Sequence, residues 1–200
     1  MPLRLNGATS GAVTVSAPAV AGSASLILPT DSVQPGMVLV ATSSFTTAAT
    51  VSVDNCFTST YTNYLIVLRH VGSGANVSLA MRLRVGGADA SGANYTIQNI
   101  DGNHTTVSGY RNSSVTAFTE LFLADSTQID TAEVLVSGPA LAEKTAVFTS
   151  GVTGNTGAFV RLSGGTHSLA TAYDGFTIYP ASGTITGSLR VYGLRNSITT

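Results

Sequence analysis

Three histidines, ten acidic residues and many serines supply the side-chain types that hydrolytic and metal sites use. His70, His104 and His167 stand apart in the sequence, and no H-x-H or H-E-x-x-H spacing includes them. No serine lies in a G-x-S-x-G pattern. Because such sites depend on defined spacings, the sequence predicts neither a nucleophilic triad nor a histidine-based metal site.

A polar stretch at residues 99–114, NIDGNHTTVSGYRNSS, combines an aromatic ring with hydrogen-bond donors. Aromatic faces stack on sugar rings, and Arg and Asn side chains donate hydrogen bonds to hydroxyl or carboxylate oxygens. We therefore expect a saccharide-binding loop here, the alternative being an ordinary exposed hairpin. A second polar stretch at residues 164–174 invites the same hypothesis. The candidate receptor-binding residues are His104, Tyr110, Arg111 and Tyr173.

The remaining candidates for chemistry have structural interpretations. Asp101-Gly102-Asn103 matches the start of a calcium loop, but the later ligands and the terminal glutamate are missing, so a tight turn is predicted. Cys56 is the one cysteine, which excludes an intramolecular disulfide and favours a small buried apolar residue. Three aromatic residues border an apolar strand and are predicted to pack in the core or between subunits: Phe57, Tyr61 and Tyr64.

Charge is scarce in this chain. Charged residues make up 10% of the sequence and the formal net charge is -1, against roughly 25% charged residues in an ordinary soluble protein. The nine Lys and Arg residues are spread widely, so nucleic acid is not expected as a partner. A mean hydropathy of +0.30 argues against disorder. No signal peptide or membrane-spanning run is recognised, and no cofactor is expected.

The elements that must position these residues are strands. From residue 36 onward, alternating or continuous apolar segments are bounded by Gly, Ser, Asn or Asp turns, which predicts an antiparallel, jelly-roll-like β-sandwich over residues 37–200. A short helical turn at 138–144 is the best helix candidate. The predicted strands span residues 37–41, 47–53, 63–70, 77–85, 93–99, 115–123, 132–137, 145–151, 158–163, 175–179 and 188–194.

The first 36 residues are predicted to form a separate attachment or trimerisation segment. Val13 and Val15 alternate with polar residues, Leu26 and Leu28 mark a second short strand, and small residues fill the interval. So few large apolar side chains do not offset the conformational entropy of ordering this length of chain. Help must come from the rest of the chain or from neighbouring subunits. The candidate oligomerisation and attachment residues are Val13, Val15, Val20, Leu26 and Leu28.

The opening sequence, LRLNGATSGAVTVSAPAVAGSASLILPT, resembles a segment near the start of tail-fibre and other virion structural proteins of tailed bacteriophages. The matching residues are Gly11, Val13, Ala17, Pro18, Ala19, Ala21, Gly22, Leu28, Pro29 and Thr30. Three later segments are similar to parts of receptor-binding or tip domains of such fibres: residues 54–68, 81–95 and 175–197. In this family the opening element implies an intertwined, trimeric stem or attachment piece.

The resemblance implies a homotrimeric short tail fibre or tip, made in the host cytoplasm and assembled into the virion. Its expected partners are other tail or baseplate proteins and a host cell-surface saccharide, bound without covalent chemistry by several linked copies. A capsid decoration protein is the alternative. A polysaccharide-degrading enzyme is a second alternative, since folding could bring paired carboxylates together.

Overall fold

The structure is a computed structural model that describes residues 3–6, 12–15, 36–74, 77–154 and 159–196. The regular secondary structure in these residues consists of β-strands, and the strand pairs are antiparallel. Numbered in chain order, the strands are β1 (Leu3–Asn6), β2 (Ala12–Val15), β3 (Met37–Ala48), β4 (Val51–Val53), β5 (Asn63–Gly72), β6 (Val77–Val85), β7 (Ala88–Asp89), β8 (Tyr95–Asn103), β9 (Thr106–Val115), β10 (Phe118–Ala124), β11 (Asp130–Ser137), β12 (Thr145–Thr153), β13 (Phe159–His167), β14 (Gly175–Pro180) and β15 (Ile185–Leu194).

Two sheets enclose one apolar core. The larger sheet has eight strands in the order β3-β15-β5-β11-β12-β13-β8-β9, and the smaller has the order β10-β6-β14-β4 with β7 paired to β6. Tyr95 of β8 packs edge-to-face on Phe118 of β10, with ring centroids 4.8 Å apart. The predicted antiparallel β-sandwich is confirmed, whereas its jelly-roll connectivity stays a prediction.

The alternation of residue types decides which side of each strand is buried. In β11, Ala132, Val134 and Val136 are buried, while the residues between them are exposed. We call the side of the eight-stranded sheet that packs on the smaller sheet its inner face, and the opposite side its outer face. A period of two places every second residue of a strand on the same face. The inner face therefore forms the core, and the outer face carries the alternate residues of each strand, which do not pack in the core.

The predicted core residues occupy the expected positions. Cys56 and Phe57 are each 3% exposed, Tyr64 is fully buried, and Tyr61 packs against the same cluster. Burial raises the pKa of the Cys56 thiol to about 12, which keeps it protonated at neutral pH. These residues are thus part of the core, as the sequence predicted.

The strand predicted at 47–53 and the helical turn predicted at 138–144 differ from the structure. The strand predicted at 47–53 is divided between the sheets: Thr47 and Ala48 end β3, and β4 begins at Val51 in the smaller sheet. Thr47 has a φ of +47°, which matches a break in the extended chain between the two strands. Residues 138–144 form turns instead of a helical segment, with Gly138 at a φ of +67°.

The described N-terminal strands form a hairpin. β1 pairs with β2, with Leu3 opposite Val15 and Leu5 opposite Val13. The strand predicted around Val13 is confirmed, while the second predicted strand lies outside the described residues. Contacts divide the chain into a unit of residues 1–33 with 199–200 and a unit of residues 34–198.

Among the described residues, no helix has the length and apolarity needed to cross a membrane.

Candidate ligand-binding face

The outer face of the eight-stranded sheet carries charged side chains at its middle. Strand register places Arg190 of β15 opposite Val67 of β5, and Val67 opposite Glu133 of β11. Glu133 in turn lies opposite Ser150 of β12. Directly opposed side chains on one face lie about 5 Å apart. The register therefore brings residues from distant parts of the sequence into one row across the sheet.

A groove of about 540 Å³ runs across this row. It touches β15, β5, β11, β12 and β13, and five adjacent strands span about 19 Å at about 4.8 Å per spacing. The groove is therefore several times as long as one sugar ring. It is lined by Val67, Leu68, Arg69, Thr131, Ala132, Glu133, Ser150, Gly151, Val152, Val160 and Arg190.

One end of the groove is charged and the other is apolar. Arg69, Arg190 and Glu133 are exposed at the end formed by β15, β5 and β11. Val152 and Val160 face each other across β12 and β13 at the other end, and they are 44% and 41% exposed. Such a gradient suits a ligand that has both polar and apolar parts.

The guanidinium groups of the two arginines in this groove have no ion pair or hydrogen bond with any described residue. Arg69 and Arg190 are absent from the contacts that fix other arginines of the chain. By contrast, the guanidinium of Arg84 donates to Asp54 Oδ1 at 2.7 Å and also pairs with Asp89. The groove therefore presents guanidinium donors that the described part of the chain does not use.

Further along the same face, apolar side chains remain exposed. Phe148 is 54% exposed, and its cross-strand neighbour Leu135 is 37% exposed. Leu162 and Ile100, which face each other across β13 and β8, are 38% and 50% exposed. Contiguous apolar surface of this kind marks a site of interaction.

A second, smaller groove of about 330 Å³ lies toward the β9 edge of this face. Its floor is open backbone, because a Cβ added to Gly164 would meet nothing within 4 Å. The groove is lined by Thr96, Gln98, Arg111, Gly164, Gly165 and Thr166. It therefore contains Arg111, one of the residues that the sequence singled out.

The polar stretch at 99–114 forms a β-hairpin, the alternative that the sequence left open. Asn103 pairs with Thr106 at the end of β8 and β9, and His104 occupies the turn with a φ of +53°. The tight turn predicted at Asp101-Gly102-Asn103 is therefore shifted, since these residues belong to β8. His104 is exposed at the tip, and its Nδ1 lies 2.6 Å from Asn103 Oδ1.

Tyr110 and Arg111 point to opposite faces because they are consecutive in a strand. The Tyr110 hydroxyl donates a hydrogen bond to Glu120 of the smaller sheet, and its ring lies 5.7 Å from the guanidinium of Arg161. Burial, followed by the bond to Glu120, raises the pKa of Tyr110. The hairpin does not bring His104, Tyr110 and Arg111 together on one face, and their role in receptor binding stays a prediction.

Tyr173 is a core residue. Its side chain is 3% exposed, and its hydroxyl lies 3.2 Å from Nδ1 of the fully buried His167. Tyr95 packs on the same imidazole, with ring centroids 4.4 Å apart. The structure therefore places Tyr173, a candidate receptor contact in the sequence, in the core instead of on exposed surface.

The predicted attachment residues lie in β2 or outside the described residues. Val13 and Val15 belong to β2, whose backbone alone is described. Val20, Leu26 and Leu28 lie outside the described residues. Their role in oligomerisation or attachment stays a prediction.

Arg69, Arg190 and Glu133 were not predicted as site residues from the sequence. The signal that was available is their position within strand patterns, since each interrupts an apolar run at a place where alternation predicts exposure. Their convergence depends on the pairing of β15, β5 and β11, and the sequence does not reveal that order.

The described residues contain no group of three or more His, Cys, Asp or Glu side chains that could hold a metal ion. The described groove lining includes one carboxylate, Glu133, whereas glycoside hydrolysis generally uses a pair. The arrangement offers donors, acceptors and apolar surface, which suit non-covalent binding. Comparisons with family models, curated proteins and solved structures found no significant match to this chain.

Proposed function

We propose that this chain is a virion structural protein of a tailed bacteriophage, acting as a homotrimeric short tail fibre or tip. It recognises a saccharide of the host surface through the outer face of its eight-stranded sheet. The observation that carries the proposal is the combination, on one exposed sheet face, of arginine side chains without a partner among the described residues and neighbouring exposed apolar side chains.

The opening segment supports the assignment to a virion. Its sequence resembles the attachment pieces of phage fibres, and β1 and β2 form a hairpin within it. A strand pair of this size is marginally stable by itself in water. An assembly of several copies, or of this chain with another tail or baseplate protein, would cover it.

The mechanism is non-covalent and multivalent. Each subunit offers a shallow groove, which suits weak contacts to one stretch of saccharide. Linked copies make the second and third contacts intramolecular, so overall affinity rises by roughly a hundredfold to ten-thousandfold without new chemistry. Adhesion of the particle then follows from several weak sites acting together.

Binding of the full-length protein to immobilised bacterial surface polysaccharides tests the proposal. We expect slow dissociation of the native protein and rapid dissociation of Phe148→Asp, which places a charge in the outer apolar surface. Glu143→Gln, a change in the exposed turn segment after β11, is the matched control and should bind as the native protein does. Equal binding by Phe148→Asp would contradict a role for the outer face.

The assembly state and the location are tested separately. Light scattering should give a trimer mass, and a monomer mass at working concentration would contradict the trimer. Deletion of residues 1–36 should abolish incorporation into virions while the sandwich stays folded. Electron microscopy of labelled particles distinguishes a tail position from the capsid position of a decoration protein. Release of reducing ends from the polysaccharide would instead indicate the enzyme alternative.

A further inference from the structure

The two arginines of the larger groove differ from other arginines of the chain, because no contact with a described residue holds their guanidinium groups in place. Arg161 and Arg84 are held by carboxylates, with N–O distances of 2.7 Å to Asp101 and Asp54. Arg69 and Arg190 instead extend from exposed positions of adjacent strands without such a partner among the described residues. A guanidinium that no protein carboxylate occupies is available to a carboxylate from outside.

The strand register determines how far apart these two arginines lie on the outer face. On β5, Val67 and Arg69 are two residues apart on the outer face, and Val67 lies opposite Arg190. Arg69 and Arg190 are therefore diagonal neighbours around Val67. The Cα atoms of such diagonal neighbours lie about 7 to 8 Å apart, a distance that long side chains can bridge. Both guanidiniums can reach one anionic group above Val67.

The charge of the groove favours an anion. Arg69 and Arg190 contribute two positive charges, and Glu133, also a diagonal neighbour of Arg69, contributes one negative charge. The net charge of +1 attracts an anionic ligand, and a planar guanidinium can form two parallel hydrogen bonds with a carboxylate. Glu133 also accepts hydrogen bonds from hydroxyl groups, which sugars supply in number.

The rest of the groove suits a sugar chain. Thr131 and Ser150 offer hydroxyl groups beside Glu133, and both line the groove between its charged and apolar ends. Val152 and Val160 provide exposed apolar surface that the methyl of an acetylated sugar can contact. The span of about 19 Å across five strands accommodates several sugar units.

We propose that the groove between β15 and β13 binds an acidic oligosaccharide, with a uronate or sialate carboxylate held by Arg69 and Arg190. This inference rests on the proposed function, since it names the chemical class of the host saccharide. It assigns the charged end to the carboxylate, the hydroxyl-lined middle to the sugar ring, and the valines to an acetyl group.

The test is a titration of the full-length protein, isotopically labelled on valine methyl groups, with two oligosaccharides of equal length. One contains glucuronate at alternate positions, and the other contains neutral hexoses only. We expect the acidic probe to shift the methyl signals of Val67, Val152 and Val160, and to bind at least tenfold more tightly than the neutral probe. Raising the salt concentration should weaken this binding, because the pairs are exposed.

Substitution of the arginines supplies the second arm of the experiment. Arg69→Ala and Arg190→Ala should each weaken binding of the acidic probe roughly tenfold, the loss expected for one hydrogen-bonded charge pair. Arg69→Lys and Arg190→Lys retain the charge and should lose less than the alanine variants. Lys144→Ala removes one positive charge from an exposed turn and should bind as the native protein does.

Each result bears on the proposal. Equal affinity for the two probes, or alanine variants that bind the acidic probe as tightly as the native protein does, would overturn it. If neither probe binds while the protein still adheres to polysaccharides through the outer face, the acidic ligand is wrong and the proposed function stands. If that adhesion is also absent, both fall. Far-UV circular dichroism and thermal melting confirm that each variant is folded.

Discussion

Arginine occurs on both faces of the eight-stranded sheet, and the two faces hold it differently. On the inner face, Arg161 is 5% exposed, and its Nε and Nη2 atoms each donate to Asp101 at 2.7 Å. On the outer face, Arg69 and Arg190 are exposed and contact no carboxylate of the described chain. A buried charge must be paired, whereas an exposed one is stabilised by water. Polar groups on the inner face therefore stabilise the fold, whereas those on the outer face are available for binding.

The largest difference in stability should appear between apolar substitutions on the two faces. Phe118 is fully buried between the sheets, so Phe118→Ala should lower the free energy of unfolding by about 3 to 5 kcal/mol. Phe148 on the outer face is 54% exposed, so Phe148→Ala should cost about 1 kcal/mol or less. Urea denaturation of the two variants measures both values. Similar losses would mean that the outer face is covered in the native assembly.

The next effect concerns the buried ion pair. Asp101→Ala leaves the Arg161 guanidinium buried without its carboxylate, and should cost about 3 kcal/mol, the lower end of the range for broken buried pairs because Asp101 is 8% exposed. The double variant Asp101→Leu/Arg161→Met removes both charges and should be more stable than Asp101→Ala. Chemical denaturation of the three proteins decides. A double variant less stable than the single one would contradict this account of the inner face.

The sequence predicts the inner face better than the outer one. Strands such as β6 and β11 were recognised because Leu79, Met81 and Leu83, or Val134 and Val136, recur at a period of two and are buried. β9 was missed. Its inward side meets the polar group around Arg161 and Glu120 instead of the apolar core, so its sequence, TVSGYRNSSV, has no apolar alternation.

Long-range pairing explains the other omissions. Asp101 and Arg161 are 60 residues apart in the sequence, and they meet because β8 and β13 are neighbours. Arg69 and Arg190 are farther apart still and depend on the pairing of β5 with β15. Local patterns determine which residues are exposed, but strand order determines which exposed residues are adjacent. The candidate groove therefore follows from topology.

A smaller, pH-dependent change in the free energy of unfolding is expected from two inner-face histidines. Burial lowers the pKa of His70 below 6.5, although the Leu123 carbonyl and Asp130 favour the charged form, and burial also lowers the pKa of His167. Below about pH 6.5 the unfolded chain takes up protons that the folded chain does not. Stability is therefore fully present above that pH and falls as the pH drops toward the folded pKa values.

Urea denaturation between pH 5 and 7.5 measures this dependence. We expect a loss of at most about 1.4 kcal/mol per pH unit for each histidine. His70→Phe should reduce the slope, and a second substitution, His167→Phe, should reduce it further. A free energy of unfolding that stays constant over this range in the native protein would contradict the assignment of the inner-face histidines as neutral.

The smallest change in stability is expected from the two outer-face arginines. Arg69→Ala and Arg190→Ala should each change the free energy of unfolding by about 0.5 kcal/mol or less, because no described protein group loses a partner when either guanidinium is removed. The same variants should lose roughly tenfold in affinity for an acidic oligosaccharide. Denaturation and titration of one preparation test both statements. A large loss of stability would assign these arginines to the fold and remove the distinction between the faces, whereas a loss of affinity alone separates binding from folding on one sheet.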